Sequence, residues 1–134
     1  MTVAELRADG VIVACAVSAG IHAALAPEHF RETAAAGIGF VVAAVVLGVL
    51  AVVLTLRPDE PAFAAAALVF AGLIGSYVLA VTTGIPVLHP DPDPVDGLAL
   101  ATKAIEAGAL VLAVSACRPS HAPLSLTQPK GTLT

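Results

Sequence analysis

The chain reads as an all-α transmembrane protein, an up-down four-helix bundle, on three observations. Hydrophobic residues make up 58% of its 134 residues and charged residues only 12%, against about 25% charged in an ordinary soluble domain. Mean hydropathy is +0.96. Four long apolar runs fill most of the sequence, and nearly every ionisable group that interrupts them falls toward the same end of its run. Once those runs are subtracted, no length is left for a soluble catalytic module, so enzyme activity is not expected. A formal charge of −4, with no Lys/Arg-rich stretch, excludes a nucleic-acid partner.

A membrane helix needs about 20 apolar residues to cross roughly 30 Å of hydrocarbon at about 1.5 Å per residue. The first run, Gly10 to Ala26, is near the short limit, and Pro27 with the polar group Glu28, His29, Arg31 and Glu32 is expected to close it. Its start lacks the basic leader of a signal peptide, so Ala24-Leu25-Ala26 is not expected to be cleaved. Ile12-Val13-Ala14-Cys15 has almost no apolar stretch before it and is not expected to be a lipidation site. The second run, Thr33 to Leu56, contains no charge and stops at Arg57-Pro58-Asp59-Glu60-Pro61. The third, Ala62 to Thr83, ends at Gly84-Ile85-Pro86. The fourth starts at Asp96, whose carboxylate suits a helix N-terminus, and reaches Cys117 before Arg118-Pro119.

Short connections make the runs antiparallel neighbours. Small residues at four-residue spacing, Ala16, Gly20 and Ala24 in the first run and Ala71/Gly75 and Gly72/Ser76 in the third, are expected to bring helices close. Residues 1–117 form the transmembrane domain and 118–134, which include His121, a flexible cytoplasmic tail. Arg7, Arg57, Arg118 and Lys130 fall on the side of both termini, and only Arg31 in the opposite loops. The positive-inside rule therefore makes both termini cytoplasmic in a multi-pass cell-membrane protein.

Depth ranks the polar groups. Counted from the run ends opposite the termini, His22 lies about 6 Å in, Tyr77 and Lys103 about 9 Å and Glu106 about 14 Å. Lys103 and Glu106, three apart on one helix, can neutralise each other. Cys15, Ser18 and His22 form a polar stripe that should turn away from lipid, and His29 would continue it were the helix to survive Pro27. With Asp91, Asp93 and Asp96 in the last loop, one face is distinctly acidic. Both cysteines lie nearer the other face, away from this cluster.

His22, Glu28, His29, His89 and Glu106 are the candidate metal ligands. Imidazole suits copper and zinc, and carboxylates complete or orient such a shell. The spacing carries no tight ligand motif, and His89-Pro90-Asp91-Pro92-Asp93-Pro94 also reads as a stiff acidic cap. No catalytic triad or phosphate loop is present in the sequence. An essential acid in the fourth run sets the chain apart from the four-span multidrug exporters, and a single His within the runs disfavours a bis-histidine haem. The alternatives are a non-catalytic subunit or assembly factor of a larger membrane complex, or a homo-oligomer, and a proton or small-ion path through Glu106 and Lys103.

At His22 and Pro27-Glu28-His29, at Gly84-Ile85-Pro86 and His89, and at Glu106, the chain resembles a loose group of small bacterial four-span membrane proteins. The resemblance covers most of the chain. It implies the same architecture and draws attention to the same residues, without implying an activity.

Overall fold

The computed structural model describes residues 1–86, 92 and 94–117. It is a four-helix bundle of α1 (Val3–Glu32), α2 (Ala34–Leu56), α3 (Glu60–Thr82) and α4 (Gly97–Ala116). All four are long and apolar enough to cross a membrane. Around the bundle the order is α2, α1, α4, α3, and the closing contact between α3 and α2 is the weakest of the four. The fold class read from the sequence is the one observed.

The boundaries correct that reading at α1. Thr2 and Glu5 form a reciprocal cap, the Thr2 hydroxyl accepting from the Glu5 amide at 3.2 Å and the Glu5 carboxylate accepting from the Thr2 amide at 2.5 Å. Such a cap satisfies two of the amides a helix start leaves open, so the helix begins seven residues before the apolar run. At the other end Pro27 does not stop it. Pro27 and the preceding-turn residue Ala23 both lie on the exposed face, while Ala26 is buried and Phe30 and His29 pack on α2. That packing holds the final turn despite the missing amide. Glu28 and His29 are therefore helical and not on an interfacial turn.

A single extended residue joins α1 to α2. Thr33 donates its amide to the His29 carbonyl at 3.0 Å and accepts from the Ala36 amide at 3.0 Å, capping both helices. So sharp a reversal presses the Phe30 ring against Gly37, where a Cβ would stand 2.2 Å from the ring. Asp59 caps α3 by accepting from Ala62 at 3.1 Å, with Pro61 in the first turn where its lost amide costs nothing. Asp96 caps α4 as its sequence context indicated, accepting from Ala99 at 2.8 Å. Gly84, at φ 71°, turns the chain out of α3 in the left-handed region that favours glycine.

Packing divides the bundle across its length. Val11, Ala14, Cys15, Leu47, Leu50, Leu54, Ala62, Phe63, Ala66, Phe70, Ala109 and Ala113 make one buried apolar cluster. Every member lies in the half of its helix nearer the termini. The buried polar residues, Ser18, His22, Thr102 and Glu106, lie above it toward the α1–α2 turn.

The small-residue expectation is not how the helices meet. No atom of another helix lies within 4 Å of a Cβ built on Gly20, Gly72 or Gly75, and Ala16, Ala24, Ala71 and Ser76 are exposed. Close approach occurs instead at Gly37 and at Gly10, where Leu112 Cδ1 stands 2.9 Å from a built Cβ.

Candidate functional site

The site is assembled by the inward stripe of α1 and the first half of α4. Cys15 and Ser18 are fully buried and His22 is 6% exposed, so the stripe does turn inward. Ser18 reaches across to α4, its hydroxyl donating to Glu106 Oε1 at 2.6 Å. Lys103 donates to Glu106 Oε2 at 2.5 Å and to the Leu73 carbonyl of α3 at 3.4 Å. Lysine side chains near a helix end usually rise toward the interface. Here the ammonium turns toward Glu106, one turn further along α4, because a fully buried carboxylate needs a counter-charge more than the ammonium needs water.

His22 joins through Ser18. Its Nδ1 lies 2.8 Å from the Ser18 carbonyl, which can only accept, so Nδ1 carries a proton. The same nitrogen is 3.4 Å from the Ser18 hydroxyl oxygen. The Nδ1 proton goes to the nearer acceptor, the Ser18 carbonyl, while the Ser18 hydroxyl donates to the carboxylate and the ammonium closes the far side. Glu106 is the terminal acceptor. The expected Lys103–Glu106 pair is present and spans more than its own helix, since Ser18 ties it to α1 and Leu73 to α3.

Among the described residues, the candidate metal ligands His22, Glu28, His29 and Glu106 do not form one ligand cluster. His22 and His29 both face Phe40 of α2, with ring centroids 5.3 Å and 3.6 Å away, and each is tied to the carbonyl one turn back on its own helix, Ser18 and Leu25. Phe40 thus contacts both imidazoles. Glu28 is exposed and pairs with Arg31 at 3.3 Å on the surface. Glu106 is already engaged by Ser18 and Lys103. His89, with Asp91 and Asp93, lies outside the described residues, as does the tail at 118–134. Among the described residues no group of three or more His, Cys, Asp or Glu side chains is arranged to hold a metal ion.

The sequence assigns no role to Ser18 as the bridge or to Phe40 as the ring that contacts both histidines. Phe40 carried a signal, since it is the sole aromatic residue in an otherwise aliphatic α2. Tyr77, noted only for its depth, has a buried hydroxyl with no hydrogen-bond partner among the described residues, and Lys103 Nζ lies 5.7 Å from its ring centre.

Comparisons with protein-family models, with curated proteins and with solved structures find no match to this chain. The functional reading therefore rests on the residues themselves.

Proposed function

We propose that this chain is a small, non-enzymatic membrane protein whose working part is the His22–Ser18–Glu106–Lys103 site, and that the site binds and releases a proton from one face of the membrane. The observation that carries the reading is the fully buried Glu106 carboxylate, bridged by Ser18 at 2.6 Å and Lys103 at 2.5 Å in the middle of α4. Chains of His and Glu within membrane spans serve proton relays. A proton entering at His22 passes by way of the Ser18 hydroxyl to Glu106. Neutralising Glu106 leaves the Lys103 ammonium without its counter-charge, which loosens its tie to α3 and couples proton binding to helix packing. The apolar cluster beneath favours a site loaded from one side over a path through the bilayer.

In this proposal that face is the outer one and both termini are cytoplasmic, on the strength of the basic residues at the termini end. Infrared difference spectra of reconstituted protein between acidic and alkaline buffer test the reading. A protonated-carboxyl band that vanishes in Glu106→Gln supports it, and spectra identical for the two proteins sink it.

Two other readings each have an observation behind them. A subunit or assembly role is favoured by Gly20, Gly72 and Gly75, whose open surroundings leave small faces for a partner helix; recovery only as a free monomer from gentle detergent counts against it. A copper or zinc site is favoured by the Nδ1-to-carbonyl bond of His22, which presents Nε2 as the ligating nitrogen, the orientation common in metal-bound histidines. A cation at Glu106 must displace Lys103, however, and stoichiometric metal binding lost in His22→Ala is the result that reading requires.

A further inference from the structure

One carbonyl in the middle of α3 has more donors than lone pairs. In an α-helix the Leu73 carbonyl belongs to the amide four residues on, that of Tyr77. Here the Ser76 hydroxyl also donates to it, at 3.0 Å, and so does the Lys103 ammonium of α4, at 3.4 Å. A carbonyl oxygen carries two lone pairs, so three donors share them. A serine hydroxyl that bonds back along its own helix tends to bend it, and helices kink at Gly/Ser pairs and where a side chain enters the backbone ladder. Both conditions meet over Gly72-Leu73-Ile74-Gly75-Ser76.

Packing divides α3 at the same place. Ala62, Phe63, Ala66 and Phe70 are buried in the apolar cluster, and Leu73 is the last α3 residue that packs against it. Beyond Leu73, Ala80 is the sole α3 residue buried among the described residues. No atom of another helix lies within 4 Å of a Cβ built on Gly72 or Gly75, so no neighbouring helix braces α3 at either glycine. The half beyond them borders the least closed contact of the bundle, that between α3 and α2. What Lys103 supplies from α4 is a tie at the root of that half: its ammonium lies on the Leu73 carbonyl and 5.7 Å from the centre of the Tyr77 ring. We propose that α3 carries a hinge at Gly72–Ser76 and that Lys103 is its latch. With the ammonium on the Leu73 carbonyl the second half of α3 is held to α4, and without it residues 74–82 swing on the half rooted in the apolar cluster. Thr82 lies nine residues past Leu73, so a bend of about 20° carries it about 5 Å. The latch stands whether or not Glu106 exchanges a proton.

Spin labels measure the swing in the full chain reconstituted in lipid nanodiscs. On a Cys117→Ser background, with Cys15 buried, one pair joins Glu28→Cys near the end of α1 to Thr82→Cys. A second joins Glu28→Cys to Ala64→Cys in the rooted half, and all three positions are exposed. Lys103→Met with Glu106→Leu removes the tie without stranding a buried charge. The distance from residue 28 to residue 82 should then shift or broaden by about 5 Å, while that from 28 to 64 holds. Lys103→Met alone must give the same shift. Gly72→Ala with Gly75→Ala, added to the latchless variant, should return the first distance to the parent distribution, because alanine restricts the backbone where glycine does not. Distances that both change mean that the bundle has rearranged as a whole, and distances that both hold mean that Lys103 restrains nothing. A swing that survives the two alanines places the bend elsewhere, and any of these three results overturns the proposal.

Discussion

Glu106 is the residue on which most of the site turns, and its energetics separate it from an ordinary surface charge. Breaking one side of a buried pair costs about 3–5 kcal/mol because the remaining charge is stranded, while replacing both partners with apolar side chains is often neutral or stabilising. Glu106→Ala is therefore expected to lower unfolding stability by that amount, and Lys103→Met with Glu106→Leu to restore most of it, as read from denaturant titrations in mixed micelles. Equal losses in the single and double variants would mean that the pair is not what holds Glu106. Ser18→Ala should cost about 1.5–3 kcal/mol in the same assay, the range for a hydrogen bond to a charged group. At this scale the sequence was legible where the chain itself sets the geometry. Lys103 and Glu106 meet because they are three apart on one helix. The Ser18–Glu106 bond joins residues 88 apart, and no helical spacing announces a partner on another helix. The contact of His22 and His29 with Phe40 was hidden for a related reason, since it depends on how α1 and α2 dock.

The helices show where apolar pattern does and does not fix an element. Run lengths gave four helices, but α1 is longer at both ends than its apolar stretch, extended by the Thr2–Glu5 cap at one end and by packing of His29 and Phe30 past Pro27 at the other. Hydropathy registers neither cause. Small-residue spacing was misleading because it marks helix faces able to approach something without saying what, and the faces of Gly20, Gly72 and Gly75 turn away from the chain's own helices. Two substitutions separate these cases. Gly37→Ala places a methyl 2.2 Å from the Phe30 ring and should cost about 1–3 kcal/mol, as overpacking does. Gly72→Ala meets open space and should stay within about 0.5 kcal/mol. Thermal unfolding in detergent compares them, and the opposite ranking would mean that the α1–α2 turn is packed otherwise.

For the whole molecule the division into a polar half and an apolar half has consequences that can be measured from either face. Cys15 is fully buried one turn below Ser18, so it marks the top of the apolar cluster. Cys117 is partly exposed at the termini end, its thiol 3.8 Å from the Glu60 carbonyl. A membrane-impermeant maleimide should label Cys117 and leave Cys15 unreacted until the protein is denatured. Labelling of folded Cys15 would show water reaching below the site. Vesicles containing the protein and an entrapped pH dye should likewise dissipate an imposed proton gradient no faster than empty vesicles, and a rate proportional to protein content would restore the idea of a path through the bundle.

The unbroken length of α1 reaches further than any of these local effects. Thirty residues in one helix span about 45 Å, which matches the thickness of a bilayer with both of its headgroup layers. The other three helices are shorter, at 20 to 23 residues. One member of the bundle is thus long enough to reach from one interface to the other, and it carries Ser18 and His22 on its shaft. Thinning or thickening the surrounding lipid obliges that helix to lean by a different angle, and the lean shifts Ser18 relative to Glu106 on α4. Under the proposed function, bilayer composition is in this way coupled to the groups that bind the proton, and acyl chain length becomes a control that acts on them without any chemical change to the protein.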